Sequence, residues 1–411
     1  MAPAPGLAYA AAMARTLHAL SADGKPLTYR DRKRAGWSLS VVYPLLPFTG
    51  IAAHAASGWQ IALALPLLIS YGLMPLLDAL IGEDTNNPPE EVVPQLEAER
   101  YYRWLTWATV PLHFVALIGC AWWAGTQALS WWAVALLGYV AGAGSGLGIN
   151  TGHELGHKHT RIEQWLARLV LAVPAYGHFT VEHGRGHHRW VATPEDHASA
   201  RMGENIYRFA LRELPGGIRR AWALEAERLV AQGESAWSVH NTMLQSYAVT
   251  LLLQGSLWLA WGAVMLPFLA VHNVVAWWQL TSANYVEHYG LLRARLPGST
   301  PAVPRYETPQ PHHSWNTNHL VTNLVLFHLQ RHSDHHAYPS RRYQSLRHFE
   351  NLPQLPSGYF GMFPLAYVPP LWFRVMDARL LALPFVRGDL TKVNLDPRRR
   401  DRMLHDASAD L

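Results

Sequence analysis

The chain has 411 residues, of which 34 are Lys or Arg and 29 are Asp or Glu, so that charged residues make up 15 per cent instead of the roughly 25 per cent of soluble domains. The deficit is local, because residues 35–77, 104–153 and 235–286 contain no charged side chain at all. Uncharged runs of this length exclude an ordinary cytosolic globular protein. The net charge of +5 comes without a nucleic-acid-binding motif, so it indicates basic membrane flanks and no nucleic-acid partner.

Each uncharged run is long enough for two helical crossings of a bilayer, since one crossing takes about 20 residues. The runs are continuously apolar and lack the period-two alternation of a membrane barrel. We therefore expect an all-α integral membrane protein with six transmembrane helices in three hairpins. The predicted helices are 37–56, 59–81, 104–123, 130–150, 247–265 and 268–285.

The distribution of Lys and Arg predicts the orientation. Residues 1–34 are basic, whereas the three hairpin tips carry no Lys or Arg, so we expect the N-terminus in the cytoplasm. Six crossings then place the C-terminus on the same side, with a cytoplasmic helical cap that carries most histidines. The predicted regions are a basic N-terminal segment (1–34), helices 1–4 (35–153), a cytoplasmic His-rich region (154–234), helices 5 and 6 (235–286), and a cytoplasmic His-rich C-terminal region with the tail (287–411).

Nine of the 23 histidines lie in four groups at or just beyond the cytoplasmic ends of these helices. Imidazole is a common neutral metal ligand, and spacings of three or four put rings on one helical face. We therefore expect one shared face for each pair four residues apart, His153 with His157 and His183 with His187, and one for the set His332, His335 and His336. Nine ligands are too many for one tetrahedral or octahedral ion, which predicts a dinuclear site. The nine are His153 and His157 in GHELGHK, His183, His187 and His188 in VEHGRGHHR, His288 in NYVEHYG, and His332, His335 and His336 in QRHSDHHA.

Several carboxylates are placed to orient these rings, as carboxylates beside metal-bound imidazoles commonly do. Glu287 adjoins His288, and Asp334 lies inside the last group. Asp78 ends an uncharged run of 43 residues at the cytoplasmic face. We take Glu287 and Asp78 as candidate catalytic residues that act beside the metal ligands.

The segment HELGH leaves a second interpretation open. It matches the H-E-x-x-H zinc peptidase pattern, with His153 and His157 as ligands and Glu154 as the general base. That interpretation leaves seven clustered histidines without a role. A carboxylate-rich di-iron centre would need two Glu-x-x-His motifs, and only Glu154 to His157 has that spacing. Imidazole alone does not distinguish zinc, copper, iron and nickel.

The segments HELGHK, EHGRGHH, LQRHSDHH and above all NYVEHYGL resemble those of the AlkB-type integral-membrane alkane 1-monooxygenases, within the wider group of membrane fatty-acid desaturases and hydroxylases. The resemblance implies two non-haem iron ions held by the nine histidines, in a multi-pass protein of the bacterial inner membrane. It also implies insertion of one oxygen atom from O2 into the terminal C–H bond of an n-alkane. A fatty-acid desaturase or hydroxylase is the alternative within the same group, and NYVEHYGL favours the alkane enzymes.

The substrate and the electron donor impose two further requirements. An alkane dissolved in the bilayer needs a channel, and Leu67, Ser70 and Met74 share one face of the second crossing at the spacing of an α-helix; we expect this face to line it. Cys120 is the only cysteine, so electrons must come from a partner, and the resemblance implies rubredoxin with rubredoxin reductase. An acidic donor would dock on cytoplasmic arginines. The candidates are Arg293, Arg295, Arg341, Arg342 and Arg347.

Overall fold

The computed structural model describes residues 15–300 and 302–399. Parts of two predicted regions, residues 1–14 and 400–411, lie outside the described residues. The described chain is mostly helical, with one antiparallel hairpin of two strands, Thr16–Leu20 and Pro26–Arg30. The helices outside the candidate membrane spans are Val93–Ala98, Arg161–Ala172, Phe179–Val181 continued by Glu182–His187 and His188–Trp190, Ile206–Ala231, Leu320–Val325, His332–Ala337, Tyr359–Ala366 and Pro369–Leu381, with short 3₁₀ turns at Glu90–Val92, Pro311–His313, Tyr343–Ser345 and Leu390–Lys392.

Among the described residues, four helices are long and apolar enough to cross a membrane: Gln60–Ile81, Arg100–Thr126, Trp131–Gly156 and Thr242–Glu287. A fifth is obtained if the helices Gly36–Leu45 and Pro47–Ser57, which meet at an angle of 53°, count as one bent span. Pro44 and Pro47 lie at this bend and cannot donate backbone hydrogen bonds, which accounts for the break in a run that the sequence presents as one helix. A multi-pass, all-α membrane protein is thus confirmed.

The segment Thr242–Glu287 is 46 residues long and folds back on itself. Gly262 has a φ of 70°, a left-handed conformation that glycine adopts without strain. The side chains of Gln254 and Asn273 exchange two hydrogen bonds of 2.9 and 3.0 Å. In one straight helix these residues would lie about 28 Å apart, so their contact shows that Thr242–Trp261 and Met265–Glu287 are two antiparallel helices.

Glycines allow two long helices to pack side by side. A Cβ atom on Gly138 would lie 2.7 Å from the carbonyl oxygen of Phe268, and one on Gly142 would overlap the carbonyl of His272. Small residues four apart allow membrane helices to approach closely. Trp131–Gly156 therefore packs directly on Met265–Glu287, and their neighbouring ends carry His153 and His288.

Candidate metal centre

Four segments bring the nine histidines to one end of the helical bundle: Trp131–Gly156 with the residue after it, Phe179–Trp190, the residue after Met265–Glu287, and His332–Ala337. Their ring nitrogens form two groups, and in each group one nitrogen per ring lies within 4.8 Å of all the others. The groups adjoin, since the ring centroids of His188 and His336 are 4.4 Å apart. The five-histidine group consists of His153, His157, His183, His188 and His335, and the four-histidine group of His187, His288, His332 and His336.

A π-helical turn divides the second set of histidines between the two groups. Residues Glu182–His187 form this turn, in which backbone hydrogen bonds join residues five apart rather than four. His183 and His188 are five apart, and their Nε2 atoms lie 3.0 Å from each other. His187 instead belongs to the four-histidine group. The expectation that His183 and His187, four residues apart, share one face assumed α-helical periodicity and is therefore corrected.

The last set is divided as well. His332 and His336 are four apart, and their Nε2 atoms lie 2.9 Å from each other. His335 turns away, and its Nε2 lies 2.9 Å from that of His153 in the other group. Consecutive residues of an α-helix differ by about 100° in direction, so His335 and His336 can serve two adjacent sites. This differs from the expectation of one shared face.

The arrangement of the ring nitrogens is better explained by coordination of metal ions than by hydrogen bonds between the rings. The Nε2 of His335 faces the Nε2 atoms of both His153 and His188, at 2.9 and 3.2 Å. The Nε2 atoms of His157 and His187 are buried without a hydrogen-bond partner. Buried polar atoms normally have partners, and a cation among these atoms would use their lone pairs together. Sites with this many nitrogen donors suit a first-row transition metal.

Burial also gives these rings the protonation state that ligands need. It lowers the pKa values of His183, His335 and His336 well below the usual value for histidine, and the neighbouring rings of the cluster lower them further. Metal-bound imidazoles must be free of the ligating proton. Burial therefore favours the neutral, ligand-competent form of these three rings.

Three contacts orient the rings of the four-histidine group from outside. His187 Nδ1 donates to Asp196 Oδ2 at 2.8 Å, which directs Nε2 into the group. Arg220 donates to the other oxygen of Asp196, also at 2.8 Å, and to Glu182. His288 Nδ1 donates to the carbonyl oxygen of His313 at 3.0 Å. The sequence shows Asp196 and His313 near the histidine groups but not which ring each one holds, and it gives no sign of Arg220, because tertiary packing and not spacing makes these contacts.

The electrostatics of this contact favour a strong ligand. Burial alone would raise the pKa of the Asp196 carboxyl, but His187 and the Arg220 guanidinium outweigh it and hold that pKa well below its usual range. An ionised carboxylate accepts a stronger hydrogen bond than a neutral group does. Gly186 makes the arrangement possible, since a Cβ there would lie 2.7 Å from Arg220 Nε.

The carboxylates chosen from the sequence have different positions. Glu287 Oε2 lies 3.3 Å from His332 Nε2, and its other oxygen accepts a hydrogen bond of 3.0 Å from Tyr359. Asp334 instead accepts hydrogen bonds from Arg347. Asp78 accepts hydrogen bonds from the backbone N–H and the hydroxyl of Thr322. Only Glu287 of these three therefore contacts one of the nine rings, and Asp78 instead fixes the start of the helix Leu320–Val325.

The zinc peptidase interpretation finds no support in the geometry. Glu154 would have to activate a metal-bound water, but its Oε1 lies 3.1 Å from Lys158 Nζ and accepts the backbone N–H of Tyr343. His153 and His157 share their site with three more histidines. A mononuclear H-E-x-x-H site would have neither feature.

A third set of potential ligands, Glu307, His312 and His313, lies nearby. The Nδ1 of His313 accepts a hydrogen bond of 2.9 Å from the backbone N–H of Gln310. Nε2 of the neutral ring must then carry the proton, and it lies 3.4 Å from Glu307. The role that the structure gives His313 is to stabilise, through Gln310, the loop whose carbonyl oxygen holds His288.

An apolar cavity reaches both histidine groups from the membrane-spanning helices. Its wall includes His153 and His183 of one group and His332 of the other, and Asn150, Gln279, Asn284 and Glu287 are its polar side chains apart from histidine. The apolar part is formed by Gly146, Leu147, Phe179, Leu280, Ala283, Leu326, Leu329, Phe360 and Phe363, with Tyr359.

The predicted channel residues lie outside this wall in the described structure. Leu67 and Met74 are half-buried, and Ser70 is buried. Ser70 Oγ lies 2.5 Å from the hydroxyl of Tyr43, and the Tyr43 ring stacks on Phe360 of the cavity wall. The second crossing contains a π-helical turn, Ile69–Leu73, which breaks the spacing on which the shared face was based. Ser70 therefore reaches the cavity only through Tyr43.

The five candidate docking arginines do not form one open patch. Arg293 and Arg342 are 6 and 9 per cent exposed; Arg293 donates to backbone carbonyls, and Arg342 pairs with Glu163. Arg341 and Arg347 pair with Glu90 and Asp334. Arg295 lies 3.7 Å from Glu195, but its side chain is 52 per cent exposed. Of the five, Arg295 is thus the one best placed to meet a partner.

Comparison with known proteins agrees with this site. The fatty acid desaturase family model matches residues 129–366. The chain is 53% identical to an alkane 1-monooxygenase of Ectopseudomonas oleovorans, over 92% of both chains. It is 52% identical to an alkane 1-monooxygenase of Pseudomonas putida, over 93% of this chain and 94% of the relative. It is also 52% identical to alkane 1-monooxygenase 1 of Alcanivorax borkumensis, over 91% of both chains. The chain therefore belongs to the fatty acid desaturase family, and within it to the alkane 1-monooxygenases.

Proposed function

We propose that this protein is a membrane-bound alkane 1-monooxygenase that converts n-alkanes to 1-alkanols with O2. The observation that carries the proposal is the meeting of two histidine groups with an apolar cavity whose wall they share. A cavity of this kind suits a chain with no polar group to recognise. The identity and coverage of the alkane 1-monooxygenase relatives favour this substrate over the fatty acids of the desaturases.

Two iron ions would occupy the site, one in each histidine group. Bound iron would supply the activation of O2 that the amino acids cannot provide. His153, His157, His183, His188 and His335 would hold one ion, and His187, His288, His332 and His336 the other. The four-histidine group has one nitrogen fewer, and Glu287 adjoins it through His332.

The protein's own residues position the substrate and exclude water. Leu147, Phe360 and Phe363 would surround the alkyl chain and limit how it enters. Burial of this chain gains little relative to lipid, so that selection by length would depend on steric limits. The polar side chains of the cavity, Asn150, Asn284 and Glu287, lie on the wall that also carries the histidines. We expect the terminal carbon to be held at this polar end.

The activity predicts a topology with the site on the cytoplasmic side. We infer six crossings, with the bent pair Gly36–Ser57 as one and the hairpin Thr242–Glu287 as two. This arrangement puts both termini and the histidine groups on one side, and the basic flank of the first crossing predicts that this side is the cytoplasm. The membrane would be the bacterial inner membrane, where soluble electron donors are available.

Rubredoxin, reduced by its reductase, would supply the electrons. His157 and His188 of the five-histidine group are half-buried, whereas the four-histidine group is wholly buried, so a donor would approach the first. The exposed Arg189 follows His188, and its backbone carbonyl accepts a hydrogen bond from Arg293, two residues before Arg295. The exposed Arg189 and Arg295 therefore replace the more buried arginines as the proposed docking residues.

Product and metal analysis of purified protein in nanodiscs tests the activity. We expect two irons per chain and formation of 1-alkanol that depends on O2, rubredoxin and its reductase. Incorporation of ¹⁸O from ¹⁸O2 into the alcohol distinguishes hydroxylation from desaturation. One zinc per chain with peptide cleavage, or an unsaturated product without ¹⁸O, would overturn the proposal.

The docking proposal has a separate test. The double variant Arg189→Glu, Arg295→Glu should lower kcat/KM for rubredoxin and weaken its dependence on salt, since charge pairs steer association. The double variant Arg219→Glu, Arg379→Glu makes an equal charge change at two other exposed positions and serves as the control. Equal effects of both changes would argue against this docking surface.

A further inference from the structure

The helix Ile206–Ala231, which we call the long cap helix, has an exposed surface of two different kinds. At about 100° per residue, one sector about 80° wide contains only apolar or aromatic side chains over four turns. Of these, Leu211 is 80 per cent exposed and Tyr207 and Ile218 are 49 and 41 per cent exposed. The members of this apolar sector are Tyr207, Leu211, Leu214, Ile218 and Trp222.

A charged sector lies beside the apolar one. Arg208, Arg212 and Arg219 are centred about 100° further around the helix. The remaining side faces the protein and carries buried residues such as Phe209 and Glu213. A helix with one protein-facing, one apolar and one charged side matches a position at the boundary between lipid and water, because each side meets a different environment.

The apolar sector adjoins a membrane-spanning helix at one end and an exposed tryptophan at the other. At one end, the Tyr207 ring stacks on Trp278 of the membrane-spanning helix Met265–Glu287, with centroids 5.6 Å apart. At the other end, Trp222 packs on Trp237, which is 74 per cent exposed. From Tyr207 to Trp222 the sector extends for about 22 Å. Exposed aromatic residues at both ends are typical of the headgroup region of a bilayer.

We propose that the long cap helix lies in the plane of the membrane, with its apolar sector at the headgroup and acyl-chain boundary on the side that carries the histidine groups. An apolar strip of this length is unusual on a surface in contact with water. Its continuity with the membrane-spanning helix identifies lipid, and not a soluble partner, as its occupant.

This position links the bilayer to the candidate metal centre. Arg220, on the same helix, holds Glu182 and Asp196, and Asp196 holds His187. Under this proposal the apolar side of the long cap helix rests on lipid. Its protein-facing side supports His187 through Arg220 and Asp196. The proposal rests on the membrane location of the protein and not on which reaction the centre performs.

Site-directed spin labelling in nanodiscs tests this position. Cys120 is fully buried and stays in place, with the unsubstituted protein as the check for background labelling. Nitroxides at Leu211→Cys and Ile218→Cys report on the apolar sector. Arg219→Cys and Ala223→Cys, at exposed positions of the same helix, are the matched controls. Collisions with O2, which partitions into lipid, and with a water-soluble nickel chelate are measured for each variant in phosphatidylcholine and phosphatidylglycerol nanodiscs.

We expect labels at 211 and 218 to collide with O2 at least several times more often than with the nickel chelate, and labels at 219 and 223 to show the reverse order. Frequent collisions with nickel at all four positions would show that the helix lies in water and would overturn the proposal. Protection of 211 and 218 from both reagents would show that protein covers the sector, which overturns it equally. Iron content and gel-filtration profile identify labelled variants that retain the native fold.

Discussion

Replacement of Arg220 by Met is the most direct test of how the protein supports its histidines. Arg220 contacts two carboxylates whose side chains are 11 and 0 per cent exposed, Glu182 and Asp196. Asp196 in turn receives the Nδ1 proton of His187. Met retains most of the side-chain volume but removes the charge and every donor.

Two magnitudes follow from these contacts. Removal of one partner from a buried ion pair leaves an uncompensated charge and costs about 3–5 kcal/mol of stability. Loss of a group that orients a metal ligand typically lowers metal affinity by about 10- to 100-fold. We expect Arg220→Met to show both effects. Arg220→Lys should be intermediate, because an ammonium group cannot make the same forked contacts as a guanidinium group.

The assay combines iron content under chelator competition with thermal unfolding of the metal-free protein in detergent. Arg219→Met, an exposed neighbour on the same helix, controls for the loss of one positive charge. The reasoning fails if Arg220→Met binds iron as tightly as the unsubstituted protein does, or if Arg219→Met loses as much. Reduced stability with unchanged iron affinity would restrict Arg220 to a purely structural role.

Three further changes test other parts of the molecule. Burial raises the pKa of Glu213 to about 7, against hydrogen bonds from Thr281 and Asn284. Its contribution to the unfolding free energy should therefore fall as pH rises from about 4.5 to 7, and Glu213→Gln should make the slope of stability against pH less steep in pH-dependent melting curves. His336→Ala leaves three nitrogens in its group and His335→Ala leaves four, so the first should lose more iron by elemental analysis; equal losses would contradict the division into groups. Ser70→Trp should displace Tyr43 toward the cavity and shorten the longest alkane hydroxylated, whereas an unchanged product profile by gas chromatography would exclude Ser70 from length selection.

The membrane-spanning helices could be predicted from the sequence because the absence of charge is a local property. The helices Arg100–Thr126 and Trp131–Gly156 overlap the predicted 104–123 and 130–150 and extend beyond them. Hydropathy alone ends the fourth helix near residue 150, whereas the spacing of His153 and His157 already indicated that the helix continues. Pro44 and Pro47 mark the bend in the first span in the sequence, but its angle of 53° depends on how the two halves pack.

The histidines of the site could be found in the sequence, but their partition could not. Clustering at the ends of uncharged runs selected the nine rings that the structure brings together. The assignment of His187 to one group and His183 to the other depends on the π-helical turn, and a π-helical turn has no simple residue pattern. The contact between Asp196 and His187 depends on a loop closed by Arg220 from another helix. Spacing therefore predicts which side chains gather, and packing decides which of them share a site.

The π-helical turn has a consequence for how the two proposed metals would differ. An α-helical turn would direct His183 and His187 to one ion and leave His188 about 100° away. The π-helical turn instead places His187, with its carboxylate partner Asp196, in the buried four-histidine group. It places the half-buried His188 in the five-histidine group. One ion would then lie nearer the surface that a donor protein can reach. The other would lie among buried groups beside Glu287, so that the two positions are chemically unequal from the start.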